Sequence, residues 1–316
     1  MTTIDTTNES KSDPAIITVM GATGRIGKRI SQQLLSAGVK VRALGRSESK
    51  LAELGDCGAE TRVGEAAAPA FLTETFRGAD AVYTLLPYDP RETSYHAQQR
   101  RVGEAIISAL GDSGVRRVVF LSSVGADQSS GTGMLVSMHD QEERLRRLDG
   151  VDVLILRPGP FFENLQGFTE MIRHEGITGD AFAPDLALPM IATRDISDAA
   201  TAALLARDWS GVVVRELLGQ RDLSFAEATR IIGERLGRSD LQYVQFPYDA
   251  AAEALAQFGF SAEIARLEVE VARAANEGRA ASREGRTARN TTATPFEAFA
   301  DELARAYLAT EEAVAS

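Results

Sequence analysis

Along the first half of the chain, strand-length apolar runs alternate with stretches of helical spacing. Ile16-Ile17-Thr18-Val19-Met20 runs into Gly21, and an amphipathic helix follows from Arg25 to about Ala37, with Ile26, Ile30, Leu34 and Leu35 on one face. Val39 to Leu44 alternates as a second strand, ends in Gly45-Arg46-Ser47 and precedes a helix near Glu48 to Leu54. Ala59 to Val63 and Ala79 to Pro87 have the pattern of a third and a fourth strand, separated by a helix around Ala70 to Phe76. A long helix from about Thr93 to Leu110 leads to Arg116 to Ser123, a fifth strand that is almost continuously apolar, as a parallel strand covered on both faces should be. The Ser/Gly-rich loop Gly125 to Gly133, a helix from about Met134 to Leu148 and a sixth strand from Val151 to Leu156 complete the run. Strand–helix units in this succession predict an α/β fold, a doubly wound parallel sheet of Rossmann type.

After about residue 165 the pattern shifts to loops and Ala-rich helices, which predicts a smaller, mostly helical C-terminal part over 166–316 with some segments returning to the sheet of 15–165. Pro189 to Ile191 has an extended pattern, Asp195 is expected to cap a helix running to Ala206, and Val212 to Leu218 has the pattern of a late strand. Ser224-Phe225-Ala226-Glu227 and Thr294-Pro295-Phe296-Glu297 have the form of capping boxes. Between them, Ala275 to Thr292 is polar and rich in Arg and Ala, the composition of a mobile loop. Residues 1–14, rich in Thr, Ser, Asp and Glu, are expected to form a disordered tail.

The turn after the first strand carries the candidate chemistry. Gly21-Ala22-Thr23-Gly24-Arg25-Ile26-Gly27 spaces its glycines G-x-x-G-x-x-G between a strand and a helix, the context a dinucleotide-binding turn requires. Gly21 permits the sharp exit from the strand, Gly24 lets backbone approach a pyrophosphate, and Gly27 lets helix and strand pack closely. The helix N-terminus then presents N–H groups to an anion. An Asp or Glu at the end of the second strand would bind an adenosine ribose 2′-OH; here Arg46 stands instead, suiting a 2′-phosphate, so NADP(H) is expected, with NAD(H) the weaker alternative. Arg25 is a second candidate phosphate contact. Leu86 and Pro87 at the end of the fourth strand, Ser122 at the end of the fifth and Phe161 after the sixth are candidates to line the cofactor, because ligands of open parallel sheets sit beyond the carboxyl ends of the strands.

Charge and composition narrow the function. A net charge of −11 argues against a nucleic-acid-binding surface. No run is long enough to span a membrane, one cysteine (Cys57) rules out an intramolecular disulfide, and a cytoplasmic location is expected. Only four lysines occur (Lys11, Lys28, Lys40, Lys50), so none follows position 50.

Taken in order, Gly21 to Gly27, Phe120-Leu121-Ser122-Ser123, Leu156-Arg157-Pro158 continuing to Phe162-Glu163-Asn164, Met190 to Ile196 and Thr294 to Phe299 resemble the atypical short-chain dehydrogenase/reductases of NmrA-like, triphenylmethane-reductase-like and azoreductase-like type. The resemblance implies a Rossmann domain whose helical C-terminal part closes a cleft over the nicotinamide. Typical relatives deliver a proton from a Tyr-x-x-x-Lys pair; without a lysine after position 50, and with no tyrosine between Met134 and Leu148, that pair cannot exist here. In its place stands His139-Asp140-Gln141-Glu142-Glu143, similar to the His-x-x-x-Glu segment of triphenylmethane-reductase-like members. His139 is either a polar group beside the substrate or one end of a helix-surface pair with Glu143. Ser123, like Ser122, could bond substrate or simply form a turn, and Tyr83, Tyr88 and Tyr95 are alternative acids. Phe162 and Asn164 lie near the same strand end, whereas His96 and His174 have the pattern of surface or packed residues with no metal partner. Two functions fit: an NADPH-dependent oxidoreductase acting on a small conjugated acceptor such as a quinone, dye, imine or enone, or a non-catalytic NADP(H) sensor with a protein partner. Catalysis on nucleotide sugars is the weaker third, since those relatives usually keep the Tyr/Lys pair.

Overall fold

The computed structural model describes residues 14–315; of the tail expected over 1–14, all but Pro14 lies outside the described residues. The first half forms β1 (Ile16–Val19), α1 (Arg25–Ser36), β2 (Lys40–Gly45), α2 (Glu48–Asp56), β3 (Glu60–Val63), α3 (Pro69–Phe76), β4 (Ala81–Leu85), α4 (Tyr95–Ser113), β5 (Arg117–Leu121), α5 (Leu135–Leu145) and β6 (Asp152–Pro158). A 3₁₀ segment (Phe162–Phe168) follows, then α6 (Thr169–Glu175), β7 (Ile177–Asp180), α7 (Thr193–Ala206) and β8 (Val212–Leu217). The chain ends with α8 (Phe225–Leu236), β9 (Gln242–Gln245), α9 (Tyr248–Gln257), α10 (Ala262–Asn276) and α11 (Phe296–Ala315).

Seven parallel strands form one sheet in the order β3-β2-β1-β4-β5-β6-β8. Because side chains alternate across a strand, successive apolar residues enter opposite cores. Val119, Leu154 and Leu156 pack on the face covered by Ile30 and Leu34 of α1 and by Ile196 and Ala200 of α7. Val118, Phe120, Val153 and Ile155 pack on the other, under Leu72 and Phe76 of α3, Val102 and Ile106 of α4, and Leu145 of α5. This two-sided burial is why Val118 to Leu121 of β5 and Val153 to Leu156 of β6 are apolar without a break. The strand order turns outward in opposite directions at β1 and β4, which opens a crevice beyond their carboxyl ends.

After β6 the chain leaves the sheet, returns through α7 to place β8 beside β6 (Val153 opposite Val212), and leaves again. The C-terminal elements share their own core, where Phe162 meets Phe296 at 5.1 Å and Phe182 stacks on Phe225 at 4.9 Å. A short parallel pair, β7 with β9, lies within this part; neither strand was expected from the sequence.

Three local expectations change. Asp195 does not cap α7; Ala192 holds the cap position, the Glu163 carboxylate accepts from Thr193 N at 3.1 Å, and Asp195, one turn in, accepts from the Thr294 backbone N–H and hydroxyl. Thr294 is thereby engaged away from its own helix, and Glu297 pairs with Arg221 at 2.9 Å. Ser224 does cap α8, accepting from Glu227 N at 3.1 Å, but the Glu227 carboxylate turns to Arg221. The segment expected to be a mobile loop is instead tied down. The buried carboxylate of Glu216 accepts from the Ser282 hydroxyl and from the backbone N–H of Arg283 and Glu284, and Leu218 exchanges backbone bonds with Asn290 and Thr292. Polar composition reports little apolar burial; it does not report backbone groups that find partners inside the protein.

Candidate functional site

The glycine turn closes the carboxyl end of β1 against β2 and β4. Gly21 adopts φ +64°, and a Cβ there would lie 2.8 Å from Leu85 Cδ2. A Cβ on Gly27 would stand 2.4 Å from the Gly21 carbonyl oxygen, so the helix can seat on the turn only without a side chain. Ala22 N donates to Leu44 O at 3.0 Å, and Thr23 packs over Gly45, where a Cβ would come within 2.9 Å of its methyl. On Gly24 a Cβ would meet nothing nearer than the Gly21 carbonyl oxygen at 3.3 Å, so its outer side is open, and no side chain caps α1 there. The first-turn N–H groups are thus left uncapped at the positive end of the helix, which fits a dinucleotide pyrophosphate.

Arg46, exposed at the end of β2, makes no direct hydrogen bond among the described residues. Its charge faces Asp89, whose carboxyl sits below its ordinary value chiefly through the backbone N–H of Arg91, with a smaller contribution from Arg46. Arg25 spans from the turn to the 3₁₀ segment, donating to Gln166 Oε1, so part of the C-terminal half roofs the turn.

At the other strand ends the candidates separate. Leu86 turns into the core under α4, while Leu85 flanks Gly21; Pro87 O accepts from Gln99 Nε2 at 2.7 Å. Phe161 bridges Ile191 and is half-buried, whereas Phe162 belongs to the C-terminal core and Asn164 is exposed. Ser123 Oγ donates to the neighbouring Val124 O at 3.0 Å. His139 bonds the Ala126 carbonyl through Nδ1 at 3.0 Å; since a carbonyl only accepts, Nδ1 carries the proton and Nε2 is left as an acceptor when the ring is neutral. Glu143 pairs with Arg146 and Arg147 instead of with His139.

Ser122 leads to a group the sequence pattern did not single out. Its Oγ donates to Glu142 Oε1 at 2.6 Å, and the same carboxylate takes both arms of Arg157, from Nε at 2.8 Å and Nη2 at 2.5 Å. All three residues are buried. Burial works against the Arg157 charge, but the Glu142 carboxylate outweighs it and holds the guanidinium above its ordinary value. The pair welds α5 to the end of β6. A signal was present: Leu135, Met138, Glu142 and Leu145 follow helical spacing, placing an acid on the apolar stripe.

The three tyrosines near β4 also part company. Tyr83 is fully buried with no partner for its hydroxyl among the described residues, and Tyr95 is buried against Ile264 and Leu267. Tyr88 is 46% exposed, and its hydroxyl bonds Glu268 Oε1 of α10 at 2.9 Å, across from β4 to the C-terminal half. Burial and then the Glu268 charge push the Tyr88 phenol up, so it remains an O–H donor. Glu268 keeps some exposed surface, yet burial pushes its carboxyl up to about 7; Asp180 at the end of β7 is likewise half-buried and pushed up by burial to about 6. Spacing again carried a signal, because Ile264, Glu268 and Ala272 succeed one another every four residues on the buried face of α10. Among the described residues, no His, Cys, Asp and Glu are grouped to hold a metal, and no helix is long and apolar enough to cross a membrane.

Comparison with known proteins agrees with this geometry. Residues 21–206 match the family described as NAD(P)H-binding. The (4-alkanoyl-5-oxo-2,5-dihydrofuran-3-yl)methyl phosphate reductase of Streptomyces griseus subsp. griseus is 29% identical over 240 residues, 76% of this chain and 80% of its own. Among solved structures, the NADPH-dependent quinone oxidoreductase of Escherichia coli, complexed with NADPH, superposes with a TM-score of 0.78 at 20% identity, covering 91% of this chain and 99% of that one. The triphenylmethane reductase of Citrobacter sp. superposes with a TM-score of 0.77 at 17% identity, covering 92% and 99%. With more than half its length matched and the glycine turn, crevice and strand order in place, the chain belongs to the NAD(P)H-binding family.

Proposed function

We propose that the protein is an NADPH-dependent reductase that delivers hydride to a small conjugated acceptor: a quinone, dye, imine or enone. The observation that carries this reading is the open, uncapped α1 turn with Arg46 beside it at the end of β2 and no carboxylate in the position that would read a ribose 2′-OH. The named relatives support it. One is a quinone oxidoreductase bound to NADPH, and the Streptomyces protein is a reductase whose named ring, a 5-oxo-2,5-dihydrofuran, is an α,β-unsaturated lactone, a conjugated acceptor of the enone type. When bound, the cofactor supplies the hydride. The turn residues Gly21 to Gly27 hold the pyrophosphate, Arg46 the 2′-phosphate, and Pro87, Ser122 and Phe161 border the nicotinamide end. His139 and Ser123, whose polar atoms are bonded to the backbone of 124–126, orient the wall beside the acceptor.

Calorimetric titration with NADPH, NADP⁺, NADH and NAD⁺, followed by an acceptor panel read through NADPH absorbance, tests the proposal. Tight NADPH binding with acceptor-dependent oxidation supports it. The sensor reading draws on the missing Tyr-x-x-x-Lys pair and would take precedence if binding discriminated redox state without any oxidation. Arg46→Ala should weaken NADPH by roughly 10- to 100-fold, the loss of a charge-assisted contact worth about 1.5–3 kcal/mol, and leave NADH within about twofold. Equal losses for both would remove Arg46 from cofactor selection.

A further inference from the structure

Reduction of a conjugated acceptor needs a proton as well as a hydride, and the short-chain reductase source of it is absent. We propose that the Tyr88 hydroxyl gives the acceptor its proton and that Glu268, hydrogen-bonded behind it, holds and resupplies that proton. The inference rests on the reductase reading and names the acid for it. Three observations carry it. Tyr88 immediately follows Pro87 at the carboxyl end of β4, beside the crevice, and alone among the three tyrosines there it is open to solvent. Its hydroxyl lies 2.9 Å from Glu268 Oε1 on the opposing wall. Neither Glu268 nor Asp180 pairs with an Arg or Lys among the described residues, in a chain where most other buried acids do so or accept several hydrogen bonds.

The groups that face Glu268 are Tyr88 from the loop after β4, Tyr95 from α4 and Asp180 from β7, with Asp89 adding its charge at Tyr88. All are acids, and none stabilises a carboxylate by opposite charge. Tyr88 donates to the Glu268 carboxylate and favours its ionised form, but burial outweighs this and leaves about half of Glu268 neutral at pH 7; in that form its own O–H can turn toward the Tyr88 oxygen and free the phenol hydrogen for the acceptor. The step balances. Hydride addition leaves an anion on the acceptor; the Tyr88 O–H bond breaks as the new O–H or C–H bond of the product forms, the Glu268 proton restores the phenol, and a proton from water reloads Glu268. No electrons pass through either side chain. Tyr88 is the catalytic acid and Glu268 a positioning residue that sets its proton supply.

The protein without cofactor gives the first readout. The infrared carbonyl band of a protonated carboxyl should be present below neutrality, disappear above it with a midpoint near 7, vanish in Glu268→Gln and shift in Tyr88→Phe. Asp180→Asn, which removes a facing negative charge, should move that midpoint down. With NADPH and either benzoquinone or a butenolide as acceptor, Tyr88→Phe should lower kcat by roughly 100-fold or more with NADPH affinity unchanged. Glu268→Gln should lower kcat less and abolish its decline above neutral pH, and Glu268→Asp should restore part of both. A carboxyl that is already ionised well below neutrality, or variants that leave kcat and its pH profile untouched, would overturn the proposal. NADPH binding without turnover of either probe would instead defeat the reductase reading, while the band and its dependence on Tyr88 still decide whether a proton-loaded pair exists.

Discussion

Glu142→Ala should lower the unfolding free energy by about 3–5 kcal/mol, the range for removing one partner of a buried ion pair. The carboxylate is almost fully enclosed, takes both arms of Arg157 and accepts from Ser122; Arg146 reaches it from outside at 3.3 Å. Truncation leaves the buried Arg157 guanidinium with no direct partner, only the lesser charges of Asp127 and Glu216, and the Ser122 hydroxyl with no acceptor. The cost is a desolvation penalty on the groups left behind, not the net worth of the pair. The double change Glu142→Leu with Arg157→Met, which removes both charges, should therefore recover most of the loss. Urea denaturation of the two variants, with unchanged m, makes the comparison. A loss under about 1 kcal/mol for Glu142→Ala would mean that water reaches Arg157. Because this pair fixes the end of β6 and the start of Phe161, the single variant should also weaken NADPH binding.

Gly27→Ala should abolish measurable NADPH binding at concentrations that saturate the native protein, a loss of at least roughly 100-fold. The added Cβ would stand 2.4 Å from the Gly21 carbonyl oxygen and 2.8 Å from its carbon, and both are backbone atoms that no rotamer change can move aside. The helix must back away from the turn, and displacing catalytic or binding groups by about 1 Å commonly costs two orders of magnitude. Folding should suffer less, by about 1–3 kcal/mol, as for other overpacked sites. Gly111→Ala is the matched control. It lies in α4 with nothing within 4 Å of an added Cβ, so it should bind NADPH normally and gain about 0.5–1 kcal/mol of stability. Calorimetry for binding and thermal melts for stability separate the two effects, and native affinity in Gly27→Ala would show that the turn does not hold the pyrophosphate.

The Rossmann sheet was legible in the sequence because its central strands are buried on both faces and leave apolar runs, as Val118 to Leu121 and Val153 to Leu156 do. The glycine turn was legible too, because the constraint at Gly21 and Gly27 is local: a positive φ and a contact six residues apart in the chain. Only the tertiary structure decided which polar residues meet. Glu142 finds Arg157 and Ser122, Glu216 finds residues 282–284, Asp195 finds Thr294, and Glu268 finds Tyr88, partners separated by 15 to 180 positions. Periodicity could mark Glu142 and Glu268 as acids on apolar stripes but not say what waited opposite. The same limit explains the segment over 275–292, whose composition was that of a mobile loop and whose fixed path depends on one buried carboxylate distant in the chain. Apolar burial leaves its period along the chain because it is set by an element's own geometry; polar pairing depends on where two elements are brought together in space.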